Sequence, residues 1–315
     1  MTTRAFVFPG QGSQVVGMGR ELFEAFAPAR EVFEEVNDAL GQKLSQLMFE
    51  GPESDLTLTE NAQPAIMAVS LAVLRVLEKE GGFVLANEAR YVAGHSLGEY
   101  SALCAAGAIT LPDTAKLLKL RGRAMQQAVP VGVGAMAALL GLNFEQAREV
   151  ASEAAQGQVC TAANDNADGQ VVVSGHAEAV ERAIAIASAK GAKRAVKLPV
   201  SAPFHCPLMQ PAAEAMQKAL ATTQIKTPSV PLIANVSAAA TAEVETIRRQ
   251  LVEQVCGTVR WRESVLAMKA LGVGELVECG AGKVLAGLAK RIDKELTAQT
   301  LGTPAEIEAF LKTRG

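Results

Sequence analysis

The chain has 315 residues, 49% of them hydrophobic and 20% charged, which is enough to build one large domain and a smaller one. The 30 basic and 33 acidic residues give a net charge of −3 and form no basic tract, so we expect no nucleic-acid binding. The five cysteines are widely spaced and form no CxxC, which argues against disulfides or a zinc site and favours a cytoplasmic location. We also expect no signal peptide and no membrane association, because no apolar run is long enough to span a bilayer.

Residues 1 to 129 alternate short apolar strands with longer amphipathic helices. This alternation predicts an α/β fold with a mainly parallel sheet that helices cover on both faces. The predicted elements are a strand over 5–8, mostly helix over 15–39, a helix over 62–80, a strand over 91–93, a helix over 97–106 and another that opens at Pro112.

The pattern changes between residues 130 and 199. The order β-α-β-β-α-β predicted there is that of a ferredoxin-like subdomain inserted into the larger domain. The predicted elements are a strand over 134–142, a helix over 144–155 capped by Asn143, strands over 158–163 and 170–174, a turn-rich loop over 164–169 between those strands, a helix over 177–190 and a strand over 192–198.

Helix and strand alternate again from residue 200 to residue 315, so we predict one discontinuous core domain over 1–129 and 200–315. The predicted elements are strands over 229–234 and 274–279, helices over 264–270 and 284–292, and a final helix with a frayed end.

The strongest local signal is Gly94-His95-Ser96-Leu97-Gly98, which follows a predicted strand and opens a predicted helix. This is the setting of the G-x-S-x-G nucleophile motif, in which a sharp turn exposes the serine hydroxyl. The glycines let neighbouring segments approach without a Cβ clash, and the helix directs free N–H groups toward an oxyanion. We therefore predict Ser96 to be a nucleophile rather than an ordinary serine in a glycine-rich turn.

A serine nucleophile needs a base, and the chain has three histidines. His205 lies in a proline-punctuated loop over 201–207, a typical place for a functional group, and is the favoured candidate. The side chain of His95 is expected to point away from that of Ser96, and His176 is expected to flank a helix of the inserted subdomain. No acid for a triad is evident, so a Ser–His dyad oriented by a carbonyl fits better.

Two further features could complete an acyl-transfer site. The loop Pro9–Gln14 carries two glycines around Gln11, so the backbone N–H groups of Gln11 and Leu97 could form an oxyanion hole. A structural turn or a phosphate-binding loop are the alternatives for that segment. Arg121 lies in an apolar run where its guanidinium could hold a carboxylate in bidentate fashion, although such an arginine often lies on a solvated helix face.

These residues resemble the malonyl-CoA:acyl carrier protein transacylases of bacterial fatty-acid synthesis over nearly the whole chain. The motifs that carry the resemblance are Gly10–Gln14, Glu60–Ala65, Gly94–Tyr100, Arg121–Arg123, Phe204–Met209 and Leu251–Trp261. The resemblance implies an α/β-hydrolase-like core with a ferredoxin-like insertion. It also implies malonyl transfer from malonyl-CoA to acyl carrier protein, with no metal and no cofactor.

The same resemblance implies the role of each site residue. Ser96 would carry the acyl group, His205 would act as base, and Arg121 would bind the malonyl carboxylate. Gln11 and Leu97 would form the oxyanion hole. The other implied site residues are Gln254, whose backbone carbonyl would orient the histidine, Gln63, Asn164 and Asn166, which would line the gorge, and Phe204, which would favour malonyl over branched substrates.

Other functions remain possible at this point. A discrete acyltransferase serving a polyketide synthase or a malonate decarboxylase would use the same chemistry with a different carrier. An esterase or thioesterase would turn over esters without a thiol acceptor, and the absent triad acid and Arg121 argue against it. A scaffold without activity would require Ser96, His205 and Arg121 to occur together by accident.

Overall fold

The computed structural model of the protein describes residues 2–200 and 202–313. Ser201 of the predicted loop and the last two residues of the predicted final helix lie outside the described residues. The strands are β1 (Arg4–Phe8), β2 (Tyr91–Gly94), β3 (Gly134–Leu140), β4 (Cys160–Ala167), β5 (Gln170–His176), β6 (Arg194–Lys197), β7 (Leu232–Ile233), β8 (Ala240–Thr241), β9 (Glu275–Cys279) and β10 (Thr297–Leu301). The α-helices are α1 (Arg20–Ala25), α2 (Ala27–Leu40), α3 (Leu44–Glu50), α4 (Glu53–Thr57), α5 (Thr59–Gly81), α6 (Leu85–Glu88), α7 (Gly98–Ala105), α8 (Leu111–Gln127), α9 (Phe144–Ala155), α10 (Ala177–Ala189), α11 (Gln210–Thr222), α12 (Val244–Cys256), α13 (Trp261–Ala270), α14 (Val284–Ile292) and α15 (Pro304–Lys312).

The larger sheet has six strands in the order β10-β9-β1-β2-β7-β8. All neighbours run parallel except β7 and β8, so the predicted mainly parallel sheet is confirmed. Because β1, β2 and β7 are adjacent and parallel, the segments that follow them leave the same edge of the sheet. Those segments carry Gln11, Ser96 and Asn235, which the fold thereby brings together.

Helices cover both faces of this sheet, and strand β1 shows how. Phe6 and Phe8 point to one face and pack in a core with residues of α5, α7 and α8. Ala5 and Val7 point to the other face and pack with residues of α13 and α14. All four side chains are fully buried, as expected for a central strand of a parallel sheet.

The smaller sheet is antiparallel, with the strand order β4-β5-β3-β6. Helices α9 and α10 cover one of its faces through apolar residues such as Val150 and Val180. Asn143 caps α9 in a capping box with Gln146, which confirms the predicted helix start. The chain therefore passes through this region in the predicted order of strands and helices.

The predicted loop over 164–169 is wrong, because β4 continues to Ala167 and only Asp168 and Gly169 form the turn. Asn and Asp are depleted in strands, so their presence favoured a loop. In the structure Asp165 is fully buried and forms an ion pair with Arg262, with Nη2 and Oδ2 2.9 Å apart. Shifts of register around Asp165 let the strand continue, so tertiary contacts outweigh local propensity.

Two further differences concern the larger sheet. Strand β7 has two residues instead of the six predicted, since the N–H of Ser229 bonds to the carbonyl of Ala106 and Pro231 has no N–H. Strand β10 was not predicted, because its residues are mostly polar and half-buried at the edge of the sheet. Among the helices within the described residues, none is both long and apolar enough to cross a membrane.

Candidate active site

Ser96 lies in the turn between β2 and α7 and has a left-handed backbone conformation, with φ of 54°. Such a conformation costs a non-glycine residue about 1–3 kcal/mol and persists only where neighbouring contacts enforce it. A Cβ on Gly94 would lie 1.9 Å from the carbonyl of Gly98, and one on Gly98 would lie 2.2 Å from the carbonyl oxygen of Phe8. The two glycines are therefore required for the turn, as their spacing in the sequence predicted.

The side chain of Asn235, which follows strand β7, makes hydrogen bonds to two backbone groups of this turn. Its Oδ1 accepts a hydrogen bond of 2.8 Å from the backbone N–H of Ser96. Its Nδ2 donates a bond of 2.7 Å to the carbonyl of Gly94. Asn235 is fully buried, so both backbone groups would be left without a partner if its side chain were removed.

The hydroxyl of Ser96 lies 2.8 Å from Nε2 of His205. On the other side of the ring, Nδ1 of His205 lies 2.8 Å from the backbone carbonyl oxygen of Gln254. A carbonyl only accepts, so the proton of the neutral imidazole is on Nδ1 and Nε2 presents a lone pair to Ser96. This tautomer can accept the serine proton.

His205 is 4% exposed. Its burial and, next in size, the positive charge of Arg121 lower the pKa of His205 to about 3, although the carbonyl of Gln254 acts in the opposite direction. His205 is therefore neutral at physiological pH.

Arg121 of helix α8 points into the same site and is 1% exposed. Its Nη1 donates to Oε1 of Gln63 at 2.8 Å, and its Nη2 donates to Oγ of Ser96 at 3.1 Å and to Oε1 of Gln254 at 2.7 Å. The guanidinium forms no ion pair with a carboxylate of the described residues, and its buried Nε has no hydrogen-bond partner among them. A buried cation with unused donors is suited to an anionic ligand.

Gln254 links these groups. Its Nε2 donates to the carbonyl of Ser96 at 2.9 Å and to Oε2 of Glu99 at 2.7 Å. Burial raises the pKa of Glu99 to about 7, although hydrogen bonds from Gln254 and Asn235 and the charge of Arg121 oppose the shift. The site thus contains one buried guanidinium and one buried carboxyl, separated by the Gln254 amide.

The loop after β1 lies against the start of helix α5. The side-chain oxygen of Gln11 accepts a bond of 2.9 Å from the hydroxyl of Thr59, which in turn accepts one of 2.9 Å from Nε2 of Gln63. The backbone N–H groups of Gln11 and Leu97 donate to no acceptor in the part of the chain that the structure describes. Leu97 is the residue directly before helix α7.

The remaining predicted site residues lie outside this hydrogen-bonded network. Oδ1 of Asn166 is 2.8 Å from Nε2 of His95, so the side chain of His95 bonds to strand β4 rather than to Ser96. Asn164 is buried in β4, and Phe204 is buried in the apolar core that also contains Phe6 and Phe8. His176 accepts a bond from the backbone N–H of Val159 within the smaller sheet.

Sequence reasoning missed Asn235, Glu99 and Thr59. Asn235 follows the predicted strand over 229–234, but the sequence does not show that this strand lies next to β2, so it gave no signal that Asn235 reaches Ser96. Glu99 lies in the first turn of the helix after the serine, where an acidic residue is more often an exposed partner of the helix dipole. Thr59 had no signal beyond its place next to the motif that contains Gln63.

The matching family is described as an acyl transferase domain, and the match covers residues 5–295. The malonyl CoA-acyl carrier protein transacylase of Escherichia coli strain K12 is 47% identical over 312 residues, which cover 99% of this chain and 100% of that protein. The acyl-carrier-protein-S-malonyltransferase of Bartonella henselae, a solved crystal structure, is 58% identical with a TM-score of 0.96, and the match covers 99% of both chains. A malonyl-transacylase solved in complex with its type II PKS acyl-carrier protein is 43% identical with a TM-score of 0.95, covering 99% of this chain and 100% of that one.

Replacement of Asn235 by Ala should lower the free energy of unfolding by about 2–4 kcal/mol, because two buried backbone groups lose their partners. It should also slow the labelling of Ser96 by a fluorophosphonate, since the strained turn is no longer held. Chemical denaturation and intact-mass kinetics measure the two effects. Asn37→Ala is a matched control, because Asn37 also makes two side-chain bonds, to Ser45, and lies outside this site. Labelling at the same rate in both variants would contradict the prediction.

Proposed function

The chain belongs to the acyl transferase family and, within it, to the malonyl CoA-acyl carrier protein transacylases, and we propose that it transfers malonyl groups from malonyl-CoA to the phosphopantetheine thiol of acyl carrier protein. This transfer supplies malonyl units for fatty-acid synthesis. The observation that carries the proposal is the geometry around Ser96. Its hydroxyl is bonded to a neutral imidazole and lies 3.1 Å from a buried guanidinium that has no carboxylate partner among the described residues.

In the proposed mechanism Ser96 is the nucleophile and His205 the general base. Nε2 of His205 takes the hydroxyl proton as Oγ attacks the thioester carbonyl, and the same proton then leaves with the thiol of coenzyme A. The carbonyl of Gln254 keeps the imidazole in the required tautomer. In the second half of the reaction the carrier thiol attacks the malonyl-serine, and the steps run in reverse.

We assign the oxyanion hole to the backbone N–H groups of Gln11 and Leu97. Both are free to donate within the described structure, and both lie at the sheet edge where Ser96 is located. Leu97 N–H is also close to the positive end of the α7 dipole, which favours negative charge at that point.

We assign Arg121 to the malonyl carboxylate, with Gln63 holding its Nη1. In the structure Arg121 donates a hydrogen bond to Oγ of Ser96 and its charge lowers the pKa of His205, and both effects weaken the nucleophile. A carboxylate that binds to the guanidinium relieves both effects. An acyl group without a carboxylate leaves them in place, so the selectivity for malonyl acts on the rate as well as on binding.

Asn164, Asn166 and Phe204 are assigned to the walls of the acyl site. The bond between Asn166 and His95 supports this placement for Asn166, because His95 is adjacent to Ser96 in the chain. Phe204 precedes the base, where a ring would crowd a branch on the α-carbon of the acyl group.

We propose that the fold is an α/β-hydrolase-like core over 1–129 and 200–315 with a ferredoxin-like subdomain over 130–199. The parallel sheet with the serine turn after β2 supports the first part, and the strand order of the antiparallel sheet supports the second. The proposed chemistry uses only side chains and backbone amides, so we propose that no metal or cofactor takes part. The five cysteines are free thiols, which supports a cytoplasmic location.

Ser96→Ala should reduce malonyl transfer by at least about a thousandfold, since the hydroxyl that is hydrogen-bonded to Nε2 of His205 is lost. Incubation with malonyl-CoA followed by intact-mass measurement should give a malonyl adduct in the parent protein and none in the variant. A fatty-acid carrier and a type II polyketide carrier should be tested in parallel, because one similar structure is a complex with a type II PKS carrier. A malonyl adduct on the variant would refute the assignment of Ser96.

Arg121→Ala should lower the rate of malonylation by about a hundredfold and reduce the ratio of malonyl to acetyl transfer, because a buried charge-assisted contact is lost. Competition between malonyl-CoA and acetyl-CoA, read by intact mass, measures this ratio. Arg123→Ala is the matched control on the same helix, since Arg123 is exposed and pairs with Glu60. An unchanged ratio in Arg121→Ala would show that another group selects the acyl chain.

The rate constant kcat/KM for acylation should show no fall from protonation of His205 as the pH drops through 6.5. With its pKa lowered to about 3, His205 stays neutral as the pH falls to 5.5, whereas an ordinary imidazole would lose about tenfold in its neutral form. Stopped-flow acylation between pH 5.5 and 7 measures this, with circular dichroism at each pH to verify folding. A tenfold fall in rate over that range would contradict the assigned environment of His205.

A further inference from the structure

Glu99 is a fully buried carboxyl beside the reaction site that the mechanism above does not use. Its Oε2 accepts hydrogen bonds from Nε2 of Gln254 at 2.7 Å and from the backbone N–H of Asn235 at 3.3 Å. Its Oε1 is buried without a hydrogen-bond partner among the described residues. One oxygen is thus held as an acceptor and the other is unsatisfied.

Glu99 is connected to Arg121 through a single amide. Oε1 of Gln254 accepts from Nη2 of Arg121, and Nε2 of the same side chain donates to Glu99. The amide of Gln254 lies between the carboxylate of Glu99 and the guanidinium. The carboxylate therefore compensates the buried charge of Arg121 without occupying the donors of the guanidinium. A direct ion pair would compensate the charge more strongly but would compete with the carboxylate of a substrate.

Arg121 is the charged group whose field acts on Glu99. Glu99 belongs to helix α7, which packs against β1, β2, α5 and α8. Two buried neutral groups are nearby, Tyr100 on the same helix and His205. Strand β2 brings Tyr91. Several charged side chains of the other elements form ion pairs with residues other than Glu99. These pairs are Arg4 with Glu275, Arg75 with Glu35 and Glu78, and Lys119 and Arg123 with Glu60.

We propose that Glu99 is the counter-ion that Arg121 exchanges for the substrate carboxylate, so that Glu99 takes up a proton when a malonyl group enters the site. This inference rests on the proposed function. The buried charges of the described site are those of Arg121 and, when it is ionised, Glu99. A malonyl carboxylate adds a second negative charge beside these buried groups, and protonation of Glu99 restores the balance.

The reaction balances with one additional proton. The bond between Oγ of Ser96 and the malonyl carbonyl forms, the carbon–sulfur bond breaks, and the serine proton leaves on the thiol of coenzyme A. A proton from solvent then resides on Oε1 of Glu99, the oxygen that has no hydrogen-bond partner among the described residues. Transfer of the malonyl group to the carrier removes the second carboxylate and releases that proton.

The direct test is proton uptake during malonylation. At pH 8, above the pKa of about 7 to which burial raises this carboxyl, Glu99 is mostly ionised. Mixing the protein with malonyl-CoA in weak buffer with a pH indicator should consume close to one more proton per malonyl-enzyme in the parent than in Glu99→Gln. Gln keeps the shape and an acceptor for Gln254 but has no carboxyl to protonate. Intact mass gives the acyl occupancy of each sample.

The equilibrium between free enzyme and malonyl-enzyme provides a second readout. From pH 7 to pH 8.5 the equilibrium constant of the parent, divided by that of Glu99→Gln, should fall by up to about tenfold per pH unit, because one proton is linked to acylation. The ionisation of the released thiol is the same for both proteins and cancels in this ratio. A ratio that does not change with pH would overturn the proposal.

Two controls keep the outcomes separate. Glu278 is also a buried carboxyl, and it accepts from the N–H groups of Leu285 and Ala286, so Glu278→Gln should take up protons like the parent. If Glu99→Gln does not fold, isotope-edited infrared difference spectra of the parent should still show a protonated carboxyl band on malonylation. Malonyl-enzyme without proton uptake overturns the role of Glu99 alone, whereas the absence of any malonyl adduct overturns the proposed function.

Discussion

Gln254 makes hydrogen bonds to the nucleophile turn, the imidazole, the guanidinium and the buried carboxyl at once. The orientation of its side chain is fixed, because reversing the amide would point N–H groups at Arg121 and the oxygen at Glu99. Ser96, His205 and Arg121 come from different parts of the chain, and Gln254 fixes their positions relative to one another. Its helix α12 is anchored in turn by Ile247, Leu251 and Val255, which are fully buried.

The part of the site that the sequence predicted best is the part that local chemistry determines. The turn around Ser96 needs a glycine on each side because two backbone segments pass within contact distance there, and that requirement is visible as a five-residue pattern. The larger sheet could be predicted for a similar reason, since its central strands are short apolar runs between amphipathic helices. His205 could be favoured by elimination because the chain offers only three histidines.

The parts that could not be predicted depend on contacts between residues far apart in the chain. Asn235 lies 139 positions after Ser96, and no local pattern joins them. The segment around Asp165 has the composition of a loop, yet its pairing with Arg262, 97 positions later, allows it to continue as a strand. Glu99 has the sequence position of an exposed helix-start residue, yet it is fully buried and accepts hydrogen bonds from Gln254 of α12 and from the backbone of Asn235.

The same geometry gives a reason for the missing triad acid. A carboxylate at the position of the Gln254 carbonyl would orient His205, but it would also place a permanent negative charge beside an imidazole on which the charge of Arg121 already acts. Such an acid would compensate part of the charge of Arg121 and so weaken its attraction for the malonyl carboxylate. A neutral carbonyl fixes the tautomer without that effect, although it stabilises the imidazolium less than an acid does. The substrate carboxylate brings negative charge next to Arg121 only when it is bound. A triad acid gives electrostatic support at all times, whereas here that support depends on the presence of the correct acyl group.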